Sequence, residues 1–298
     1  GGVRALHFND ASPAQRVVIV GGGIGGAALA VALHNRGIPY RLYEKDAHAA
    51  VRKQGYALTL QQGMSIMKWL GFDRDKDMVS HGAISNLHAS FAKDGSSLGA
   101  YGPPPVAERK SGRDKGKHNL HIPRTALRDV LFGALDPDNI VWGHEIEDYT
   151  ERKVFMGGVN QPSHSIIAAT FSNGVKVECG LLVGADGIYS RVRSLMYSKA
   201  QSDPNLWSLM QARGTAESRD YAPKGDNLHF LDLMVILGIA PEPNCHTQKQ
   251  WVDGQTRCFT MPYNTSHRMW QLSFPSSEVA AIRHTGDCVA LKSLALKQ

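Results

Sequence analysis

The chain has 298 residues, of which 42% are hydrophobic and 20% are charged, a balance that is typical of a globular protein and excludes a disordered or fibrous chain. Its formal net charge is +6, but much of the basic excess lies in the run from Arg109 to Lys117, which also contains acidic and small residues and has no aromatic ones. Such a run is typical of a solvated loop, so we expect no nucleic-acid site.

The cysteine spacing and the apolar runs indicate the cellular compartment of the protein. The four cysteines are far apart and form no C-x-x-C pair, which excludes a zinc ribbon or disulfide scaffold and favours free thiols. The longest apolar run, from Val17 to Leu33, is interrupted by five glycines and is short for a bilayer span. We therefore expect a soluble, cytoplasmic protein with no integral membrane span.

The N-terminal segment predicts one βαβ unit after a loose lead-in of residues 1–15. The apolar run 16–20 predicts a buried parallel strand, and the Ala- and Leu-rich segment 27–35 predicts a helix that is closed by Gly37. The segment 40–44 predicts the second strand. A strand, a tight glycine turn, a helix and a second strand in this order form one βαβ unit.

The rest of the chain predicts more strands than helices. Helices are expected at 63–70 and 124–135, and a long mobile loop rich in Gly, Ser, Pro and Lys is expected near 95–118. Further strands are predicted at 55–60, 87–91, 140–142, 165–171, 175–177 and 181–186. Beyond about residue 202, strand-like segments at 234–239, 257–261 and 269–274 predict a β-rich second domain.

The turn after the first strand carries glycines in the G-x-G-x-x-G spacing. Gly21 permits the tight turn, Gly23 lets the backbone approach a pyrophosphate, and Gly26 lets the helix pack closely on the strand. Ile24 and Gly25 complete the turn at the helix N-terminus, where free N–H groups favour an anion. This segment predicts a binding site for an adenine dinucleotide.

An acidic residue, Glu44, ends the second predicted strand, where a carboxylate accepts hydrogen bonds from a ribose diol. Lys45 follows it directly and belongs to the same set of cofactor-binding candidates. A carboxylate at this position favours a free 2′-hydroxyl and disfavours a 2′-phosphate. FAD and NAD both satisfy this motif, and the motif alone does not separate them.

Three later segments resemble class A FAD-dependent monooxygenases, the aromatic-hydroxylase-like flavoproteins. Residues 52–60 (RKQGYALTL) are similar to the extended segment that follows the second strand in that family. Residues 121–131 (HIPRTALRDVL) are similar to a helix start from which an Arg reaches the flavin cofactor. Residues 181–193 (LLVGADGIYSRVR) match the family's D-G-x-x-S-x-V-R motif almost residue for residue, and this last motif is the most specific.

The resemblance implies further cofactor-binding residues, namely Arg52, Ala57, Arg124, Asp186, Gly187 and Arg193. Arg124 supplies a planar, permanent cation that suits a pyrophosphate or the polar flank of a flavin. Asp186 ends a strand at the carboxyl edge of the sheet, where it can accept from a ribityl or ribose hydroxyl, and Gly187 gives the backbone room. Ala57 would pass its backbone near the adenosine ribose.

The fold that the resemblance implies is α/β, a Rossmann-like FAD/NAD(P)-binding domain with a mixed sheet and an inserted β-rich substrate domain, as in aromatic hydroxylases. The FAD-binding domain is expected to comprise residues 16–84 and 120–201, and the substrate domain residues 85–119 and 202–298. Candidates for lining an apolar substrate pocket, or for core packing, are Trp251, Phe259, Met261, Tyr263, Trp270 and Phe274.

The activity implied by the resemblance is hydroxylation of a small, aromatic or polycyclic organic substrate. NAD(P)H reduces the FAD, the reduced flavin adds O2 to form a C4a-hydroperoxide, and the distal oxygen passes to the substrate. Because the hard chemistry belongs to the flavin, no catalytic side chain is assigned. No metal site is predicted, since the His118 and His121 pair beside a loop is expected to be solvent-exposed. The oligomeric state does not follow from the sequence.

One family motif, a second Gly-Asp followed by a Pro- and Gly-rich helix start, has no match. Gly286-Asp287 lacks the flanking sequence and is expected to be a helix cap. We therefore expect the natural protein to continue past Gln298, and residues 1–298 alone to bind FAD weakly or not at all. Two alternatives stay open, an NAD-dependent dehydrogenase and a non-catalytic flavin-binding protein that lacks the second Gly-Asp motif.

Overall fold

A computed structural model describes residues 7–51, 55–85, 87–102, 119–154, 164–203 and 231–275, together with residue 293. Within these ranges the strands are β1 (Val17–Val20), β2 (Tyr40–Tyr43), β3 (Ala57–Leu60), β4 (Ala83–Ser85), β5 (Leu87–Ala92), β6 (Ser97–Tyr101), β7 (Asn119–Pro123), β8 (Ile140–Val141), β9 (Ile146–Val154), β10 (His164–Phe171), β11 (Lys176–Cys179), β12 (Leu181–Gly184), β13 (Leu233–Pro241), β14 (Thr247–Val252), β15 (Arg257–Pro262) and β16 (His267–Pro275). The helices are α1 (Ile24–His34), α2 (Gly63–Trp69), α3 (Arg124–Gly133) and α4 (Arg191–Gln201), with a π-helical turn at Arg74–Met78 and 3-10 turns at Pro13–Gln15, Ala49–Val51, Val79–His81 and Pro137–Asn139.

The chain divides into two compact units. The first comprises residues 1–53 and 131–228, and the second comprises residues 54–130 and 229–298. Each unit therefore contains two separate stretches of chain, and the chain passes from one unit to the other within α3.

The first unit contains a four-stranded sheet in the order β12-β1-β2-β8. Every pairing in it is parallel, whereas the sequence predicted a mixed sheet. The difference follows from the chain connections, because each strand is reached by a crossover rather than by a hairpin. All four residues of β1 are buried, as expected for the central strand of a parallel sheet.

A second, antiparallel sheet in the order β11-β10-β9 completes the first unit. The apolar core of this unit joins the two sheets. Val18 and Val20 from β1 and Tyr43 from β2 cluster there with Phe171 and Cys179 from the antiparallel sheet. The rings of Tyr43 and Phe171 stack with centroids 4.4 Å apart. This packing fixes β1 and β2, whose ends carry the predicted dinucleotide site.

The second unit contains a six-stranded sheet in the order β13-β16-β15-β14-β5-β6 and a three-stranded sheet in the order β3-β7-β4. The six-stranded sheet draws its strands from two distant parts of the sequence, residues 87–101 and 233–275. Residues 97–101 were predicted as loop, but they form β6 because pairing with β5 satisfies their backbone groups. The remainder of that predicted loop, residues 103–118, lies outside the described residues.

The register of the six-stranded sheet separates its side chains into two faces. One row of facing residues crosses all six strands and consists of Leu237, Gln271, Phe259, Gln250, Ser90 and Gly99. We call the face that carries this row the amide face. Of the apolar side chains that the sequence grouped together, Phe259 and Met261 lie on the amide face, whereas Trp251, Trp270 and Phe274 alternate onto the opposite face.

A buried polar cluster connects the two sheets of the second unit. His121 in β7 has no exposed surface, which contradicts its predicted exposure, and His118 lies outside the described residues. The Nδ1 of His121 lies 3.0 Å from the Thr59 hydroxyl, and its Nε2 lies 2.6 Å from the Ser85 hydroxyl and 3.2 Å from the Gln248 amide nitrogen. The amide nitrogen is only a donor, so Nε2 must accept, and the ring is held neutral.

Burial in this cluster lowers the pKa of His121 from 6.5 to about 4. In the unfolded chain the same group gains its proton near pH 6.5, so protonation favours unfolding as the pH falls from 6.5 towards 4. We expect about 3 kcal/mol of stability to be lost across this window and none to be gained above it. The measurement is chemical denaturation at a series of pH values. His121→Gln should flatten the profile and the exposed His34→Gln should not; a wild-type slope in the His121 variant would contradict the assignment.

Candidate cofactor site

The glycine turn leaves the carboxyl end of β1 and lies against the end of β12. Gly21 has φ +106°, in the region that favours glycine, and a Cβ there would lie 2.5 Å from the carbonyl oxygen of Ala185. A Cβ on Gly26 would lie 2.0 Å from the carbonyl oxygen of Gly21, so helix α1 packs directly on the turn. Close backbone contacts therefore require glycine at two of the three motif positions. Gly21 is required for the tight turn, and Gly26 is required for the close packing of the helix.

The N-terminus of α1 is open at this turn. The helix begins at Ile24 with Gly23 as its N-cap residue, and no side chain of the described residues caps it. Apart from its chain neighbours and the backbone of its own helix, no described atom lies within 4 Å of the position that a Cβ on Gly25 would take. Free N–H groups at a helix start beside open space are suited to a phosphate. The observed backbone thus fits the pyrophosphate of a dinucleotide.

Glu44 is buried beside the glycine turn. One carboxylate oxygen accepts the N–H of Gly22 at 2.6 Å, and the other accepts the N–H of Asp46 at 3.0 Å. Glu44 is 4% exposed, so its carboxylate is buried and held in a fixed position by these two hydrogen bonds. Lys45 points away into an exposed pair, with its Nζ 3.8 Å from Glu145. The structure thus brings Glu44, but not the side-chain amine of Lys45, to the turn.

The D-G-x-x-S-x-V-R segment builds the start of α4. Asp186 accepts the Ser190 hydroxyl at 2.6 Å with one oxygen, and the N–H groups of Arg191 and Val192 at 2.7 and 3.1 Å with the other. Ser190 in turn accepts the N–H of Arg193 at 3.0 Å as the N-cap. Asp186 therefore satisfies the first two N–H groups of α4 and stabilises the start of this helix. Its predicted contact with a ribose or ribityl hydroxyl would use lone pairs beyond these three bonds and stays a prediction.

The same segment lies against the glycine turn. A Cβ on Gly21 would lie 2.7 Å from the Cα of Asp186, so the two motifs meet although 165 residues separate them in the chain. Gly187 has φ +86°, and apart from its chain neighbours no described atom lies within 4 Å of the position that a Cβ there would take. Its cofactor role stays a prediction. Arg193 donates to the carbonyl of Ile188 at 2.6 Å and thereby closes the loop.

The remaining predicted residues belong to the second unit or lie outside the described ranges. Arg124 starts α3, and its N–H donates to the carbonyl of Tyr56 at 2.9 Å. Ala57 is buried in β3, where its N–H contacts the sulfur of Met269 at 3.3 Å. Arg52 lies outside the described residues, as does the Gly286-Asp287 pair. The cofactor roles of Arg52, Ala57 and Arg124 stay predictions.

Sequence reasoning did not find two contacts that shape the turn. A Cβ on Gly22 would lie 3.2 Å from the ring of Phe132, and one on Gly184 would lie 2.8 Å from the side chain of Val192. Both contacts join residues that are distant in sequence or in different elements, so no local pattern signals them. Among the described residues, no group of three His, Cys, Asp or Glu side chains is arranged to hold a metal ion. Within the same ranges, no helix has the length and apolar character needed to cross a membrane.

A parallel sheet with a glycine turn, an open helix N-terminus and a buried acidic residue after the second strand defines an adenine-dinucleotide-binding fold. The chain belongs to the FAD binding domain family, whose sequence profile matches residues 14–271. FAD is accordingly the dinucleotide, and the choice between FAD and NAD that the glycine motif left open is resolved.

Curated relatives carry related names. The chain is 30% identical over 233 residues to the dual O-methyltransferase/FAD-dependent monooxygenase elcB of Phaeosphaeria nodorum, covering 70% of this chain and 23% of that protein. It is 30% identical over 226 residues to the aurachin C monooxygenase/isomerase of Stigmatella aurantiaca, covering 72% of this chain and 52% of that protein. The chain therefore spans about half or less of the length of these relatives.

Solved structures share the fold of this chain. HpxO of Klebsiella pneumoniae, complexed with FAD and uric acid, superposes with a TM-score of 0.63 at 16% identity, covering 95% of this chain and 65% of that one. The 2,6-dihydroxypyridine-3-hydroxylase of Arthrobacter nicotinovorans superposes with a TM-score of 0.60 at 14% identity, covering 89% and 57%. The aromatic-hydroxylase-like fold predicted from the sequence is confirmed.

Two neighbouring glycines in the turn have different packing roles, which substitution with alanine separates. Gly26→Ala places a methyl group against the carbonyl of Gly21 and should destabilise the protein by about 1–3 kcal/mol, because backbone has to shift. Gly25→Ala is the matched control, since its methyl group meets open space and alanine favours the helix by up to about 1 kcal/mol. Urea denaturation of both variants measures the difference; equal midpoints would contradict this account of the turn.

Glu44 is expected to contribute to FAD affinity. Glu44→Ala removes a buried carboxylate that can accept from the ribose, and charge-assisted hydrogen bonds contribute about 1.5–3 kcal/mol each. We expect FAD affinity to fall about 10- to 100-fold. Flavin fluorescence titration gives the dissociation constant, and the exposed Glu151→Ala on β9 is the control. An unchanged constant for the Glu44 variant would argue against the ribose contact.

Proposed function

We propose that this chain is the cofactor- and substrate-binding part of an FAD-dependent monooxygenase. The reaction is hydroxylation of a small organic molecule, aromatic or polycyclic, with NAD(P)H and O2 as co-substrates. The observation that supports it most strongly is that Gly21, Glu44 and the Asp186 loop share the carboxyl edge of one parallel sheet. Relatives named FAD-dependent monooxygenase and hydroxylases that share the fold support the same reaction class.

The residues of the first unit have a role in holding FAD. The open N-terminus of α1 would hold the pyrophosphate, and Glu44, which keeps the N–H of Gly22 in place, would accept from the ribose. Asp186 and Gly187 supply the adjoining edge of the site. When bound, FAD would supply the electron transfer from NAD(P)H and the reaction with O2, chemistry that no side chain provides. The protein's contribution is binding, orientation and exclusion of water.

The six-stranded sheet of the second unit is the proposed substrate surface. Its register places Trp251, Trp270 and Phe274 on one face, and it places Gln250, Phe259 and aliphatic residues of β13 on the amide face. The proposed setting is a reducing compartment such as the cytoplasm, in keeping with Cys179, Cys245 and Cys258, none of which forms a disulfide. No nucleic-acid partner is proposed.

The test follows the flavin and the oxygen in the purified full-length protein, because residues 1–298 alone are expected to bind FAD weakly. Extracted cofactor is identified by chromatography, and NADH and NADPH are each added without air while flavin absorbance is recorded. Planar organic acids and phenols are then supplied under isotopically heavy O2, and products are analysed by mass spectrometry. We expect flavin reduction and products that contain one heavy oxygen atom.

Two results would contradict the proposal in different ways. Retained FAD that neither nicotinamide reduces would favour a non-catalytic flavin-binding protein. Substrate oxidation that needs NAD but proceeds without bound flavin would favour a dehydrogenase. Glu151→Ala serves as the unperturbed reference in each assay, because this exposed residue lies on β9, away from the turn.

A further inference from the structure

Arg257 on the amide face has free hydrogen-bonding capacity. Its Nε donates to the side-chain oxygen of Gln250 at 3.0 Å, and its guanidinium lies 4.8 Å from the centre of the Phe259 ring. Neither of its two terminal nitrogens has a hydrogen-bond partner among the described residues. No carboxylate within those ranges lies at ion-pair distance from it. A guanidinium that is fixed at one nitrogen and open at the other two is suited to bind an oxyanion.

Gln250 fixes this arrangement. Its side-chain oxygen accepts from Arg257, and its amide nitrogen donates to the Ser90 hydroxyl at 2.9 Å. Both polar groups of this amide are therefore occupied within the sheet. Gln250 acts as a positioning residue, because it limits the rotation of the guanidinium and leaves the hydroxyl proton of Ser90 available as a further donor.

The same face is apolar along its edge strand. Four residues of β13 alternate onto it with exposed fractions of 46–48%, namely Leu233, Val235, Leu237 and Ile239. We call them the β13 strip. A row of exposed aliphatic side chains is unusual on a face that only meets water. Val235 pairs with Ser273, which pairs with Arg257, so two strand spacings, about 10 Å, separate the strip from the guanidinium.

Charge complementarity argues for a small anion rather than a second copy of the chain. A symmetric pair would bring the same face against itself. The described strand residues on this face include no Asp or Glu, so a second copy would offer no partner for Arg257. A molecule with an apolar body and one anionic group about 10 Å apart satisfies both features of the face.

We propose that the amide face binds an amphipathic planar organic anion, with its oxyanion on Arg257 and its apolar body over the β13 strip. This assignment rests on the proposed function and adds to it a charge requirement and an orientation for the substrate. Arg257 is the residue that sets the preference for an anion, and Gln250 positions it. Phe259 supports the guanidinium through its ring face.

The experiment compares 2-naphthoate with the neutral 2-naphthamide by calorimetric titration of the purified protein, without nicotinamide, so that binding is measured apart from turnover. We expect naphthoate to bind at least about tenfold more tightly. Arg257→Gln should abolish this preference, and Gln250→Met should reduce it. Arg152→Gln, which removes an exposed arginine paired with Glu178, should leave it intact.

A second pair of variants tests the apolar part. Leu237→Ser should weaken both probes to a similar degree, whereas Leu181→Ser, at another exposed leucine, should weaken neither. The inference is overturned if Arg257→Gln keeps the preference, if neither probe binds, or if Leu237→Ser changes self-association instead of probe binding. A protein that retains and reduces FAD but shows one of these results would refute the anion site alone. Loss of flavin with intact probe preference would refute only the monooxygenase proposal.

Discussion

The parallel pairing of β1 with β12 is the interaction on which the candidate site depends. The two strands come from the two separate stretches of chain in the first unit. Their pairing aligns their carboxyl ends, so that the turn after β1 meets the loop after β12. The approach is close enough that only glycine fits at position 21, against the carbonyl of Ala185. The N–H of Ala185 completes the junction by donating to the carbonyl of Val20 at 2.7 Å. The acidic residue, the open helix start and the Asp186 loop are all positioned from this junction.

The features that the sequence predicted well are those that short segments encode. The glycine turn needs a positive φ and close packing, and these requirements leave a visible spacing of glycines. The Asp186 segment is similarly local, because its carboxylate bonds to groups four to six residues ahead. A resemblance carried by such segments therefore identified both the family and the fold.

The features that the sequence missed depend on partners far along the chain. His121 looked exposed because it follows a polar run, but Ser85 and Gln248 enclose it from 36 residues before and 127 residues after. The strand β14 lacks regular alternation of apolar residues, since Gln248 and Gln250 are polar and inward-facing or half-buried. Because β14 was not predicted, the register of the six-stranded sheet could not be predicted either. The sequence therefore did not show that Phe259 and Trp251 lie on opposite faces of this sheet.

A substitution of Asp186 would change the start of α4 and the candidate cofactor site at the same time. Its carboxylate holds the first turn of α4, and that turn lies beside the backbone through which the glycine segment would meet a nucleotide. A substitution there frays a helix whether or not the side chain ever touches the cofactor. Loss of flavin in such a variant would therefore not by itself show a contact, because the stability of the helix start and the shape of the cofactor site would change together.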